Sequence, residues 1–130
     1  MKYLAIIYND ESGYANATPE DIGRVFAAHG AFGEASREAG VFLGGEGLQP
    51  IATATTVRVR DDERMLTDGP YAETKEQLGG YYLLECKDLD DALNWAAQIP
   101  EAKTGAIEVR PIMDYAALEN QAAGAESAAS

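Results

Sequence analysis

Lys2 to Tyr8 is apolar almost without interruption and rich in β-branched and aromatic residues, the pattern of a central strand covered on both faces. After a polar, Gly-containing stretch from Asn9 to Ala17, the run Thr18-Pro19-Glu20-Asp21 announces a helix. Thr18 is suited to the N-cap, Pro19 to the first helical position, and the acids to the positive end of the dipole. Ile22, Val25, Phe26, His29, Phe32, Gly33 and Ser36 then recur at three- and four-residue spacing, one face of a helix that runs to about Ala39 and stops at Gly40.

Val41 to Leu48 reads as a short strand whose glycines imply a bulge or tight packing. Ala54 to Arg60 alternates, with Thr55, Val57 and Val59 opposed to Thr56, Arg58 and Arg60. Asp61-Asp62 is a turn, and Arg64 to Thr67 a short returning strand. Asp68-Gly69-Pro70 breaks the chain, and Tyr71 to Gln77 is loop or a single helical turn. Gly80 to Cys86 is a second strong strand. Asp88 caps a second helix with Leu89, Ala92, Leu93 and Ala96 inward, Pro100 ends it, and Ala106 to Met113 is the last strand. From Ala116 onward little can be buried, so residues 1–115 form the domain and 116–130 a flexible Ala-rich tail that frays or clings as a partial helix.

The order β-α-β-β-(β)-β-α-β predicts an α+β fold, a ferredoxin-like βαββαβ sandwich with an extra short strand. Helices cover one face of such a sheet. Leu4, Ile6 and Tyr8, like Tyr3, Ala5 and Ile7, make both faces apolar, so a second copy of the chain is expected on the open face, giving a homodimer.

Composition narrows the function. With 46% hydrophobic and 25% charged residues the chain is an ordinary globular domain. Its 22 acidic against 10 basic residues, net charge -12, disfavour nucleic acid and anionic membrane surfaces and suit a small organic ligand or a basic protein patch. One cysteine, Cys86, forms no internal disulfide and fits a reducing cytoplasm. The first apolar run is too short for a signal peptide, and no segment reaches the roughly 20 apolar residues of a membrane span. No Cys/His cluster suggests zinc, and Gly44-Gly45-Glu46-Gly47 lacks the context of a phosphate cradle, so neither metal nor cofactor is expected.

His29 is the only histidine. On the apolar stripe it is either a core residue with one hydrogen-bond partner or a general acid/base at the edge of a cleft. Asp68 either holds the Asp-Gly-Pro turn or orients His29 as a carboxylate partner. Tyr71, Glu73 and Lys75 crowd one loop, either as solvated surface or as the wall of a binding pocket. Arg58 and Arg110, on outward strand faces, either pair with neighbouring acids or bind a substrate carboxylate.

The stretch from Thr67 through Asp68-Gly69-Pro70-Tyr71-Ala72-Glu73-Thr74-Lys75-Glu76-Gln77-Leu78-Gly79-Gly80 to Tyr82 resembles the signature of the DGPF-type branch of the YCII-related family, with Tyr71 in place of the name-giving Phe. Gly44 to Pro50 and Ile107 to Pro111 are similar to other family segments, and the likeness extends from Met1 to about Tyr115. The resemblance implies a dimeric α/β-barrel of ferredoxin-like units but no defined reaction. In enzyme-like branches it implies a catalytic His-Asp pair, for which His29 and Asp68 are the candidates here. Some members are associated with extracytoplasmic-function sigma factors. Two functions are therefore expected in competition: a cofactor-free enzyme using His29 and Asp68 on a small organic molecule, with Tyr71, Glu73, Lys75 and Arg58 binding it, or a non-catalytic ligand-sensing or interaction dimer linked to such a sigma factor.

Overall fold

The computed structural model describes residues 1–129, with side chains for residues 1–124. Strand β1 (Lys2–Asn9) lies inside a four-stranded antiparallel sheet, between β5 (Gln77–Glu85) and β6 (Ala106–Pro111), and β2 (Phe42–Gly47) closes the far side of β5. This order, β2-β5-β1-β6, is compatible with a ferredoxin-like fold. Helix α1 (Pro19–Glu38) connects β1 to β2, and α2 (Leu89–Ala96) leads from β5 toward β6.

The two intervening strands are not part of that sheet. β3 (Thr55–Arg60) and β4 (Glu63–Asp68) pair only with each other among the described residues, as a hairpin inserted between β2 and β5. Its two-residue turn puts Asp61 and Asp62 at φ 52° and 63°, a left-handed conformation that Asp tolerates better than most residues. The alternation along β3 is present, but Val57 and Val59 are the open side, 58% and 60% exposed.

Local signals set the helix ends. Thr18 caps α1 by accepting from the Asp21 amide while the Asp21 carboxylate accepts from the Thr18 amide, a reciprocal box behind Pro19. At the other end Gly40 takes φ +73°, as a helix terminator does. Asp88 caps α2 through the Asp91 amide.

Tyr3, Ala5, Ile7 and Leu84 face the helices and are buried with Phe32 of α1, Ala92 and Ala96 of α2, and Ile99 beyond it. Cys86 joins this cluster, and burial raises its thiol pKa. Leu4, Ile6, Tyr8 and Leu83 on the opposite face are half-buried.

The apolar stripe of α1 divides in two. Phe32, Gly33 and Ser36 enter the core, whereas Ile22 and Phe26 are 44% and 72% exposed, and Phe26 stands over a cavity. The segment expected to fray or form a partial helix from Ala116 belongs to α3 (Tyr115–Ala129), exposed along residues 115–124; Ser130 lies outside the described residues. Among the described residues no helix is long and apolar enough to cross a membrane.

Candidate functional site

His29 sits where α1 passes from its core-packed half to its uncovered half. Both ring nitrogens are engaged: Nε2 lies 2.7 Å from Glu101 Oε1, and Nδ1 lies 2.7 Å from the Tyr82 hydroxyl. An ionised carboxylate only accepts, so Nε2 carries the proton and donates to Glu101. In the neutral ring Nδ1 is then bare and accepts from the Tyr82 O–H. The three side chains form a chain, Tyr82 to His29 to Glu101, in the logic of a nucleophile-base-orienter triad with a phenol at its head.

Each member is held by its own element. Tyr82 projects from β5 onto the helix-covered face, its ring 4.6 Å from that of Phe32. It leans across β2 at Gly45, where a Cβ would lie 2.7 Å from Tyr82 Cδ1 and 2.8 Å from the Tyr81 carbonyl. No larger residue leaves that path open, which makes Gly45 a positioning residue for the phenol. Glu101 comes from the 3-10 turn Pro100–Ala102 after α2 and is 8% exposed. Its carbonyl accepts from the Gly105 amide at 2.7 Å, and a Cβ on Gly105 would collide with the Tyr8 carbonyl. That glycine lets the turn close on β1 and carry Glu101 under the helix.

Tyr82 titrates above an ordinary tyrosine, first because burial disfavours the phenolate and second because the Glu101 carboxylate opposes another negative charge, with Arg37 acting weakly the other way. The fold therefore favours the neutral phenol. That contribution is fully present below the unfolded value near 10 and is lost as pH rises through the higher folded value. Urea denaturation across alkaline pH should show wild type losing more stability than Tyr82→Phe above about pH 10; parallel curves would mean that the phenol is not held neutral by the fold.

Above the triad opens a cavity of about 550 Å³, within the range of small-molecule sites. Its floor includes Gly47 and Gly80, paired across β2 and β5, and its walls include Phe26, Tyr14 and Leu48. His29 is 23% exposed at its side chain, so the ring is neither sealed nor free.

The carboxylate on His29 is that of Glu101, not that of Asp68, and the expected His29–Asp68 pair is not formed. Asp68 ends β4 opposite Thr55 on the inserted hairpin, exposed and outside the cavity lining. The chain turns there through Gly69 at φ +108°, whose amide bonds the Ala54 carbonyl. Tyr71 is 80% exposed, Glu73 and Lys75 are exposed, and none of the three lines the cavity. Arg58 does not line it either. It is half-buried rather than outward, with its guanidinium 5.4 Å from the Tyr71 ring centre. Arg110 is exposed on the sheet face away from the helices, 3.9 Å from Glu108. The part of the Thr67–Tyr82 stretch that reaches the site is its second half, the start of β5: Gln77, Gly79, Gly80, Tyr81 and Tyr82 all line the cavity. Sequence reasoning misses Glu101 and the base-engaging role of Tyr82. The one available signal for Glu101 is a lone acid after Pro100 in an otherwise small and apolar turn. Among the described residues no cluster of His, Cys, Asp and Glu is arranged to hold a metal ion.

The YCII-related domain model matches residues 1–116. An uncharacterized protein of Rhizobium meliloti (strain 1021) is 40% identical over 117 residues, which span 88% of this chain and 94% of that protein. The family match over residues 1–116 shows that the chain belongs to the YCII-related family.

Proposed function

We propose that this protein is a cofactor-free acid–base catalyst in which His29, oriented by Glu101, draws a proton through Tyr82 from a small organic molecule held in the cavity. The observation that carries this reading is the pair of 2.7 Å contacts that engage both nitrogens of the single histidine beside an open cavity. A substrate C–H or O–H gives its proton to the Tyr82 oxygen as the phenolic proton passes to His29 Nδ1. The substrate keeps the electron pair, and the imidazolium so formed donates through Nε2 to the Glu101 carboxylate. Reversal of the same transfers reprotonates the substrate. The apolar walls limit solvation of the developing charge, so the fixed phenol and imidazole take over the work of water.

Solvent deuterium incorporation into a panel of small C–H acids, amine-bearing ones included, followed by proton NMR, tests the reading. Wild type should exchange at least one member, and His29→Phe should slow it by about a hundredfold or more. No exchange across the panel by a folded protein would leave the second reading, a non-catalytic ligand-sensing dimer, in first place. That reading is favoured by the uncovered hairpin, where Met65 and Leu66 as well as the two valines are more than half exposed. It is also the one to which a sigma-factor association belongs. Under either reading we place the chain in the DGPF-type branch on Asp68-Gly69-Pro70-Tyr71, as a homodimer of the barrel type with its open sheet face covered by a second copy, in the reducing cytoplasm that suits its single buried thiol.

A further inference from the structure

We infer that the occupant of the His29 cavity is a ring-bearing molecule with a positively charged head, of the arylalkylamine class, and that carboxylates and phosphates are excluded; this deepens the acid–base reading and takes its site from it.

The charge of the lining is one-sided. Glu11 and Glu101 line the cavity on the helix side and, among the described residues, no Lys or Arg does, so the wall stays negative even when His29 is an imidazolium. Glu11 cannot swing away freely: its carboxylate accepts from the Ile51 amide at 2.9 Å, and its own amide donates to Gln77 Oε1 at 2.8 Å. Glu101 is more than nine-tenths buried, and while Oε1 accepts from His29 Nε2, Oε2 has no hydrogen-bond partner among the described residues. With the ring neutral, no cation among the described residues pairs with this lining carboxylate, so its charge acts on whatever the cavity holds. An anion placed there would meet fixed carboxylates across a weakly screening interior with no cation to pair with.

The remaining surface suits a flat ring. The Gly47–Gly80 pair leaves the floor without side chains, and Phe26 and Tyr14, 72% and 45% exposed, stand beside it with ring faces to offer. Such faces attract an ammonium as well as stack on a ring. The ammonium also offsets the negative charge that proton removal leaves on the substrate, so the same feature that selects the ligand favours the reaction.

Three near-isosteric probes separate the causes: 2-phenylethylamine, 2-phenylethanol and 3-phenylpropionate, titrated into the full chain near neutral pH while the His29 ring signals are followed by NMR. The amine should bind at least about tenfold more tightly than the carboxylate, with the alcohol between them. Glu11→Gln keeps an acceptor for the Ile51 amide and removes the charge, and should reduce the amine's advantage while leaving the alcohol's affinity unchanged. Because a chain of net charge -12 attracts any amine, location needs its own control. A Cβ on Gly47 meets no atom within 4 Å, so Gly47→Val should fill the cavity and weaken all three probes, and Phe26→Ala on the exposed face of α1 should weaken them without touching the sheet. Carboxylate binding as tight as the amine's, amine binding that survives both variants, or no binding of any probe would overturn the inference. Deuterium exchange that still depends on His29 would in that case leave the acid–base reading standing alone.

Discussion

Leu84→Ala is expected to lower the free energy of unfolding by about 3 kcal/mol, the largest loss of stability among single truncations in the sheet. Leu84 is fully buried near the C-terminal end of β5, paired with Tyr3 of β1 on one side and Phe42 of β2 on the other. Removing its side chain empties the place where three strands and the helices meet, and backbone pairing on both flanks hinders collapse of the void. The loss should appear as a lower urea midpoint at unchanged slope, since the surface exposed on unfolding barely changes. A loss under about 1 kcal/mol would show that the cluster relaxes into the space and that the core is not organised around β5. Tyr82 lies two residues along the same strand, so the tyrosine contacts with His29 should loosen in step with the core.

The frame of the fold is legible in the sequence because its signals are local. A capping box behind Pro19, Gly40 at the end of α1, Asp88 before α2 and the unbroken apolar run of β1 each act within a few residues, and each element forms where its signal stands. The inserted hairpin is half legible. Its alternation and its Asp61-Asp62 turn are visible, but which sheet a strand joins depends on partners far along the chain, and alternation alone does not say which face is covered. Hence the valines of β3 lie open and Arg58 is half-buried against Tyr71, the reverse of what a hydrophobic-in reading assigns. The stripe of α1 shows the same limit: periodicity identifies the face but not that its first half lies beside a cavity instead of the core.

The site is legible only at His29, which stands out as the sole imidazole on an apolar face. Its carboxylate lies 72 residues away in a 3-10 turn with no motif of its own, and the hydrogen bond depends on Gly105 letting that turn approach β1. Asp68 is conspicuous because it stands in the most distinctive stretch of sequence. That stretch contributes to the site through its glycines and Tyr82, which shape and head the cavity, and not through its acid.

Glu101→Gln should have the largest effect on the chemistry, slowing proton exchange by about two to four orders of magnitude, while Asp68→Asn leaves the rate unchanged. The carboxylate does two things for His29. It fixes the tautomer with Nε2 protonated, which bares Nδ1 toward Tyr82, and it compensates the imidazolium that forms when the ring takes the phenol's proton. The substituted amide would retain the shape and lose the charge; because an amide both donates and accepts, it would also tolerate the opposite tautomer. With one histidine in the chain, nitrogen-15 NMR reads the two ring nitrogens directly: a protonated Nε2 and bare Nδ1 in wild type and in Asp68→Asn, and a mixture of tautomers in Glu101→Gln. Because Glu101 also helps hold the Tyr82 phenol above its ordinary range, the same variant should let that phenol ionise at lower pH. Tyr82→Phe combined with Glu101→Gln should cost little more than either change alone, since each already breaks the chain of transfers. Additive losses would mean that tyrosine and carboxylate act separately, and a wild-type tautomer retained in Glu101→Gln would remove the carboxylate from the mechanism.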